Sequence, residues 1–250
     1  MGGIGFHSAR WLAERGCHVV LAGRDATRLK ECSKQIRAAC KSATGVLNPA
    51  GDVQLTELVL DVGSLASVEQ FAANFQALNL PLHILLNNAG IMALPYSHTV
   101  DGYEKQVGTN HLGHFYLTKL LMPQLTAGAP SRVVNVASYG HNFATMSADQ
   151  LDQVFMPTES QYTRYSAYGN SKLSNILMAR SLQAKYGRIG VTAYSLHPGM
   201  VATDLGRQGD FVTKVAYTAG AFAMKSSEEG TGTSMYCSPW DPTGSTWRTS

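Results

Sequence analysis

The sequence predicts an α/β domain, a doubly wound and mainly parallel β-sheet flanked by helices. Three observations predict it. Short apolar runs alternate with helical patterns long enough to serve as crossovers between parallel strands. The notable polar motifs (Gly23-Arg24, Asp61, Asn87–Gly90, Ser138 and Pro198-Gly199) all stand at the C-terminal ends of such runs. Open parallel sheets hold their ligands at those ends. Finally, no Gly/Ser/Pro-rich linker, internal repeat or low-complexity stretch divides the chain, so residues 1–250 read as a single domain.

The elements follow in order. Gly3-Ile4-Gly5 leads into an amphipathic helix in which Ile4, Ala9, Trp11, Leu12 and Ala13 can face a sheet. Arg10, Glu14 and Arg15 face water, and Gly16 stands where a helix-ending glycine belongs. His18–Ala22 is a β-branched run closed by Gly23 and reads as a buried strand. Asp25–Lys41 is helical, with Leu29, Ile36 and Ala39 on one face, and Ser42–Asp52 is a loop. Leu55–Leu60 is a strand ending at Asp61, after which Ser64 can cap a helix that buries Val68, Phe71, Ala72 and Phe75. Leu82–Leu86 is a strand running into Asn87-Asn88-Ala89-Gly90. Asp101–Leu125 is a long helix, bent near Pro123. Arg132–Val136 is a strand ending at Ala137-Ser138, and Tyr165–Tyr186 is a long helix ended by Gly187. Val191–Leu196 is a strand leading into His197-Pro198-Gly199, and no strand is read after Cys237.

Composition narrows the function classes. Hydrophobic residues at 44% and charged residues at 15% exclude a disordered chain. A net charge of +3 is too small to argue for nucleic acid. No stretch reaches the roughly 18 apolar residues of a membrane span. Val215–Met224, the most apolar late segment, is short and carries Tyr, Thr and Gly. Cys17, Cys32, Cys40 and Cys237 form no CxxC pair and no metal spacing. They read as reduced thiols of a cytoplasmic protein, with an anchor upstream of Met1 left open. No metal site is expected: His111, His114 and His197 have no acidic partner spaced for zinc, so packing or capping roles are expected.

The chemistry sits at the strand ends. Tyr168 and Lys172 are four apart on one helix and share a face. An ammonium beside a phenol favours the phenolate and lowers its pKa from about 10. Such a phenol can exchange a proton with a carbinol or carbonyl near neutral pH. Ser138 ends a buried strand, where its hydroxyl can hold a substrate oxygen beside the tyrosine. Asn110 lies mid-helix, a poor place for an Asn with no task, because it competes with the backbone there. Arg24 directly follows the strand where such folds read the cofactor ribose. An arginine suits a 2′-phosphate and an acid suits a 2′-hydroxyl, and Gly23-Arg24-Asp25 offers both.

In family order, Gly3-Ile4-Gly5, Asp61-Val62, Asn87-Asn88-Ala89-Gly90, Asn110, Ser138, Tyr168-xxx-Lys172 and Pro198-Gly199 resemble the short-chain dehydrogenase/reductases over nearly the whole chain. Leu80-Pro81-Leu82-His83-Ile84-Leu85, Asn110-His111-Leu112-Gly113-His114-Phe115 and the long insert before Tyr168 are similar to the retinol dehydrogenase and WW-domain oxidoreductase branch. The resemblance implies a Rossmann-like, dinucleotide-binding domain with Tyr168 as general acid/base. It implies that Lys172 lowers the tyrosine pKa and bonds the nicotinamide ribose, that Ser138 orients the substrate oxygen, and that Asn110 holds a relay water. Asn88, Ala89 and Gly90 would border the adenosine side, and Asp61, beside Val62, would bond the adenine. Pro198, Gly199 and Val201 would close over the carboxamide, with Thr203 near the pyrophosphate and Gly3, Ile4 and Gly5 at its helix. Tyr165 is a decoy, because Gly169 stands where its lysine would be.

The expected cofactor is NADP(H) rather than NAD(H), from Arg24. The expected substrate is a small lipophilic carbonyl or alcohol (retinoid, steroid or aldehyde), with Tyr139, Phe143, Tyr162, Met200 and the Phe211–Phe222 region as its lining. A homodimer through the helices at Asp101–Leu125 and Tyr165–Tyr186 is expected by the same resemblance.

The family pattern TGxxxGxG follows a strand, and Gly3 and Gly5 match only its last two glycines. The strand would precede Met1, in mid-sheet between His18–Ala22 and Leu82–Leu86. The first strand, and the last after Cys237, are therefore expected to be missing, leaving ladder edges unpaired. Two functions fit such a chain: an oxidoreductase with an Asn110–Ser138–Tyr168–Lys172 set, or a non-catalytic isoform that works through interactions.

Overall fold

The computed structural model describes residues 3–42, 53–199, 201 and 225–237. In chain order the elements are α1 (Ile4–Ala13), β1 (Val19–Gly23), α2 (Ala26–Ser42), β2 (Leu55–Val59), α3 (Leu65–Ala77) and β3 (Ile84–Asn87). There follow α4 (Lys105–Val107), a π turn (Gly108–Leu112), α5 (Gly113–Leu120), α6 (Met122–Ala127), β4 (Ser131–Val136) and α7 (Leu151–Phe155). The last are α8 (Arg164–Tyr186), β5 (Val191–Leu196) and α9 (Ser227–Tyr236).

Among the described residues, β1 to β5 pair only in parallel. β1 pairs with β2, Val19 opposite Leu55, and β3, β4 and β5 pair in that order. Alternation along β1 divides the layers. Leu21, with Val19, packs against Ala9 and Ala13 of α1 and Leu29 and Ile36 of α2. Val20 packs on the opposite face with Phe71 and Phe75 of α3 and Leu117 of α5. Leu85 of β3 joins that second cluster, so one helical layer underlies both sets of strands. This is the Rossmann-like arrangement, helices on both faces of a parallel sheet.

The sheet is in two parts. Among the described residues, β1 and β3 are each paired by a strand on one edge only. A cavity of about 610 Å³ lies between them, lined by consecutive residues from His18 to Ala22 and from Leu80 to Ala89. Side chains alternate across a strand, so consecutive lining residues mean that the cavity faces the strand edges rather than a sheet face. The Ser42–Asp52 loop lies largely outside the described residues, as do residues 238–250, where the last strand was expected to be missing.

The expected helix over Asp101–Leu125 is broken into four pieces. Gly102 turns the chain with φ +86°, and Asp101 instead accepts a hydrogen bond from Leu65 N at the start of α3. The helix begins after Glu104, whose carboxylate accepts from Gln106 N (2.9 Å) and Val107 N (2.7 Å). The π turn follows, and at Leu121 the backbone leaves helical geometry before Pro123 opens α6. Between Ser138 and Tyr168 the insert holds two short 3₁₀ turns and α7. Near the end of the described chain, Thr231 of α9 donates to Ile4 O and Arg10 pairs with Glu228. Among the described residues no helix is long and apolar enough to cross a membrane.

Gly113 sets how close α5 comes to the β2–α3 connection. A Cβ there would lie 2.0 Å from the carbonyl oxygen of Val62, a rigid backbone atom. Gly113→Ala is expected to destabilise the fold by about 3 kcal/mol, the upper end for overpacking. Gly232, in α9, has nothing within 4 Å of its Cβ position. Gly232→Ala is expected to raise stability by up to about 1 kcal/mol through helix propensity. Urea unfolding of the two variants checks both signs.

Candidate active site

The site is assembled where β3, β4 and β5 end and α8 crosses them. Tyr168 and Lys172 lie on the inner face of α8, 5% and 3% exposed. Lys172 Nζ donates to Val136 O at the end of β4 (3.0 Å) and sits 5.6 Å from the Tyr168 ring centroid. Burial pulls the Lys172 ammonium down from 10.5 to about 8.

Two glycines bring the insert against this helix. A Cβ on Gly140 would lie 2.7 Å from the Tyr168 ring and 3.4 Å from Ser138 Oγ. A Cβ on Gly169 would meet the backbone of Phe143 and Ala144. The Tyr168 ring is thereby seated beside the Ser138 hydroxyl. Ser138 caps the 3₁₀ turn Tyr139–Phe143, its Oγ accepting from Gly140 N (3.1 Å). The decoy Tyr165 is 44% exposed and rests near Phe143.

Asn110 is fully buried in the π turn. Its Oδ1 accepts from Ile91 N (2.8 Å), and its Nδ2 donates to Ile91 O (2.9 Å) and Ser171 Oγ (2.9 Å). The side chain therefore pins the loop after β3 to the start of α8. In a π turn the backbone hydrogen bonds run from residue i+5 to residue i, as Gly113 N to Gly108 O does. Here Asn110 O accepts from His114 Nδ1 (2.9 Å) and Asn175 Nδ2 (3.1 Å). Because an oxygen accepts, His114 carries its proton on Nδ1, and burial holds its pKa down at about 4. His111 contacts Asn175 Oδ1 (3.1 Å) and is likewise lowered by burial. Both histidines thus do hydrogen-bonding work inside the fold.

Of the remaining residues expected at the cofactor, Gly5, Val62, Asn88 and Ala89 line the cavity. Gly3 is the N-cap of α1, and Gly5 lies so close to Asn88 that a Cβ would stand 3.0 Å from its amide. The first amides of α1, at Ile4 and Gly5, make this a favourable place for an anion. Asp61 Oδ1 accepts from Gly63 N (2.9 Å), a local turn, and Val62 is buried. Gly90 brings the chain against Asn110 Oδ1 and Lys172 Nζ, 3.3 and 3.5 Å from its Cβ position, while the neighbouring Ala89 is exposed. Arg24 is exposed at the end of β1, and among the described residues no acid lies within ion-pair distance of it. Asp25 is occupied differently: its Oδ1 accepts from Thr27 N and Arg28 N and caps α2. Pro198 and Gly199 follow β5, Gly199 with φ +88°, and Val201 is buried and bridges to Lys225. Thr203, Met200 and the Phe211–Phe222 region lie outside the described residues.

Of the expected lining, Tyr139 and Phe143 are 69% and 57% exposed, while Tyr162 is fixed by its hydroxyl. Tyr162 Oη donates to Leu94 O and accepts from Gln106 Nε2, and burial raises its pKa to about 12. Sequence reasoning missed Asn175, Ser171 and His114 as site neighbours. The signal was present for Asn175: it lies seven residues after Tyr168, on the same helical stripe, and is another polar residue in a helix interior.

Residues 1–148 match the family model for short chain dehydrogenase. The chain is 39% identical over 235 residues to retinol dehydrogenase 12 of Homo sapiens, covering 94% of this chain and 69% of that protein. It is 36% identical over 239 residues to the WW domain-containing oxidoreductase of Homo sapiens, covering 94% and 55%. Among solved structures, an uncharacterized protein from Mycobacterium paratuberculosis superposes with a TM-score of 0.65 at 32% identity, covering 97% of this chain and 75% of the other.

Lys172 makes stability depend on pH. Below about pH 8 the folded and unfolded chains both hold its proton, and the burial penalty is felt in full. Between about 8 and 10.5 the unfolded chain keeps a proton that the folded chain releases, so stability rises with pH. The rise attributable to this group is on the order of 3 kcal/mol. Lys172→Met is expected to be more stable than the parent at pH 7 and to lack that rise. Urea midpoints of both proteins between pH 7 and 10.5 test it; parallel profiles would contradict it.

Proposed function

Because the chain belongs to the short-chain dehydrogenase/reductase family, a family of oxidoreductases, we propose that it is an NADP(H)-dependent enzyme interconverting a carbonyl and an alcohol. Its substrate is a small lipophilic molecule of the retinoid, steroid or aldehyde class. The observation that carries the reading is Tyr168 buried beside Ser138 and Lys172 where the parallel strands end. The kinship to a retinol dehydrogenase supports the substrate class, as do the exposed Tyr139 and Phe143 next to Ser138.

The residues fit a dinucleotide. The N-terminus of α1 beside Asn88 suits the pyrophosphate, with Ile4 and Gly5 amides as donors. Arg24 reaches into solvent with its guanidinium uncommitted to any described acid, which suits a 2′-phosphate. Gly90, Asn88, Pro198, Gly199 and Val201 would border the rest, with Asp61 and Val62 at the adenine. Bound, the nicotinamide supplies or takes up the hydride.

The chain's own residues handle the proton. Ser138 Oγ bonds the substrate oxygen and fixes it toward Tyr168 Oη. In reduction, Tyr168 gives its proton to that oxygen as the carbonyl becomes an alcohol, and in oxidation it takes the proton back. The Lys172 ammonium favours the phenolate by charge. Asn110 keeps Ile91 and Ser171 in place on either side of it.

A second reading, a non-catalytic interaction protein of the same family, draws on the cavity between β1 and β3. Stoichiometric NADPH binding counts against it. Tyr168→Phe is expected to lower NADPH-dependent reduction of all-trans-retinal by roughly 10³-fold with cofactor binding intact; surviving turnover would refute the mechanism. Arg24→Ala is expected to weaken NADPH by about 10- to 100-fold and leave NADH unchanged, the worth of a charge-assisted bond. Equal effects on both cofactors would remove the basis for NADP(H).

A further inference from the structure

Asn175 is 1% exposed and makes three side-chain hydrogen bonds, two of them with both its N–H donors. Its Oδ1 meets His111 Nδ1 (3.1 Å), and its Nδ2 donates to Asn110 O (3.1 Å) and Val136 O (3.3 Å). Its own carbonyl accepts from Asn135 Nδ2 (3.3 Å). The amide therefore ties α8 to the π turn and to the end of β4. Val136 O is also the acceptor of Lys172 Nζ (3.0 Å). One buried carbonyl is thus shared by the ammonium and by a second donor that stays put.

That sharing matters when the lysine changes partner. On the reading above, on which this inference rests, Lys172 bonds the nicotinamide ribose. To do so its ammonium must loosen or leave Val136 O. A buried carbonyl left without a donor carries a free-energy penalty. With Asn175 already bonded to it, the carbonyl keeps a donor throughout. We propose that Asn175 is a positioning residue that stands in for Lys172 at Val136 O and so frees the lysine to engage the cofactor.

The test needs no turnover. NADPH affinity is measured by fluorescence titration of the parent chain, Asn175→Leu, Lys172→Met and the double variant, with 2′,5′-ADP as a probe of the adenosine half alone. Asn175→Leu keeps the volume and removes both donors. It is expected to weaken NADPH about tenfold, the equivalent of about 1.4 kcal/mol, and to leave 2′,5′-ADP unchanged. In the Lys172→Met background, with no ammonium to release, the same substitution is expected to have no effect on NADPH. Should Asn175→Leu fail to fold by circular dichroism, Asn175→Asp, of the same size and without N–H donors, is expected to shift NADPH affinity in the same direction. Unchanged NADPH affinity in the folded variant overturns the inference. So does equal weakening of NADPH and 2′,5′-ADP, which marks a purely structural role, or weakening that persists without Lys172. A parent chain that binds no NADPH refutes the functional reading instead, and this inference with it.

Discussion

An ammonium buried at the end of a parallel sheet is the constraint around which this site is built. Lys172 is 3% exposed, and its ring-side neighbour is the equally buried Tyr168. Taking a charge out of water is costly unless hydrogen bonds replace the solvent. The acceptor at hand is Val136 O, the last carbonyl of β4, which also accepts from Asn175 Nδ2. The C-terminal end of a parallel sheet presents such carbonyls by construction. A lysine four residues after a tyrosine on the crossing helix is therefore well placed to use one.

The constraint propagates outward through a connected set of buried polar groups. Thr118 and Asn135 both accept from Asn87 Nδ2, Asn135 donates to Asn175 O, and Asn175 reaches Asn110 and Val136. Such a network spans α5, β3, β4, α8 and the π turn, so each element's position is fixed by more than apolar packing. Buried networks of this kind are worth having only when nearly every member is satisfied. The π turn contributes Asn110 O, which accepts from His114 Nδ1 and Asn175 Nδ2.

This explains which parts of the molecule were legible in the sequence. The strands at Val19–Gly23, Leu55–Val59 and Val191–Leu196 fall within a residue or two of their expected places, the first as a continuous apolar run and the other two as mixed runs bounded by turn residues. Tyr168 and Lys172 are legible because a spacing of four fixes a shared face. The division of labour between Arg24 and Asp25 is not, since both charges follow one strand and only the geometry shows Asp25 capping α2. The segment Asp101–Leu125 reads as one helix bent near Pro123, yet folds as four pieces. A π turn is set by acceptors on other elements, and those leave no mark on local periodicity. Asn175 was passed over for a related reason: its task lies in three side-chain bonds to two distant elements, the π turn and β4.

The insert before Tyr168 is held by the same means, which bears on how a lipophilic rim can exist beside such a polar centre. Gln106, fully buried, donates to Tyr162 Oη and Arg164 O and accepts from Ala93 N, while Glu104 N donates to Phe155 O. These bonds clamp the far end of the insert to the start of the site helix. Gly140 and Gly169 clamp its near end by backbone approach. Apart from the Tyr162 hydroxyl, neither clamp uses the insert's large aromatic or apolar side chains. Tyr139, Phe143 and Met156 are left 69%, 57% and 55% exposed. Exposed apolar groups on a fixed backbone are what a binding rim requires, because they can be covered by a ligand without first being unpacked. The polar clamps and the apolar rim are two aspects of one arrangement.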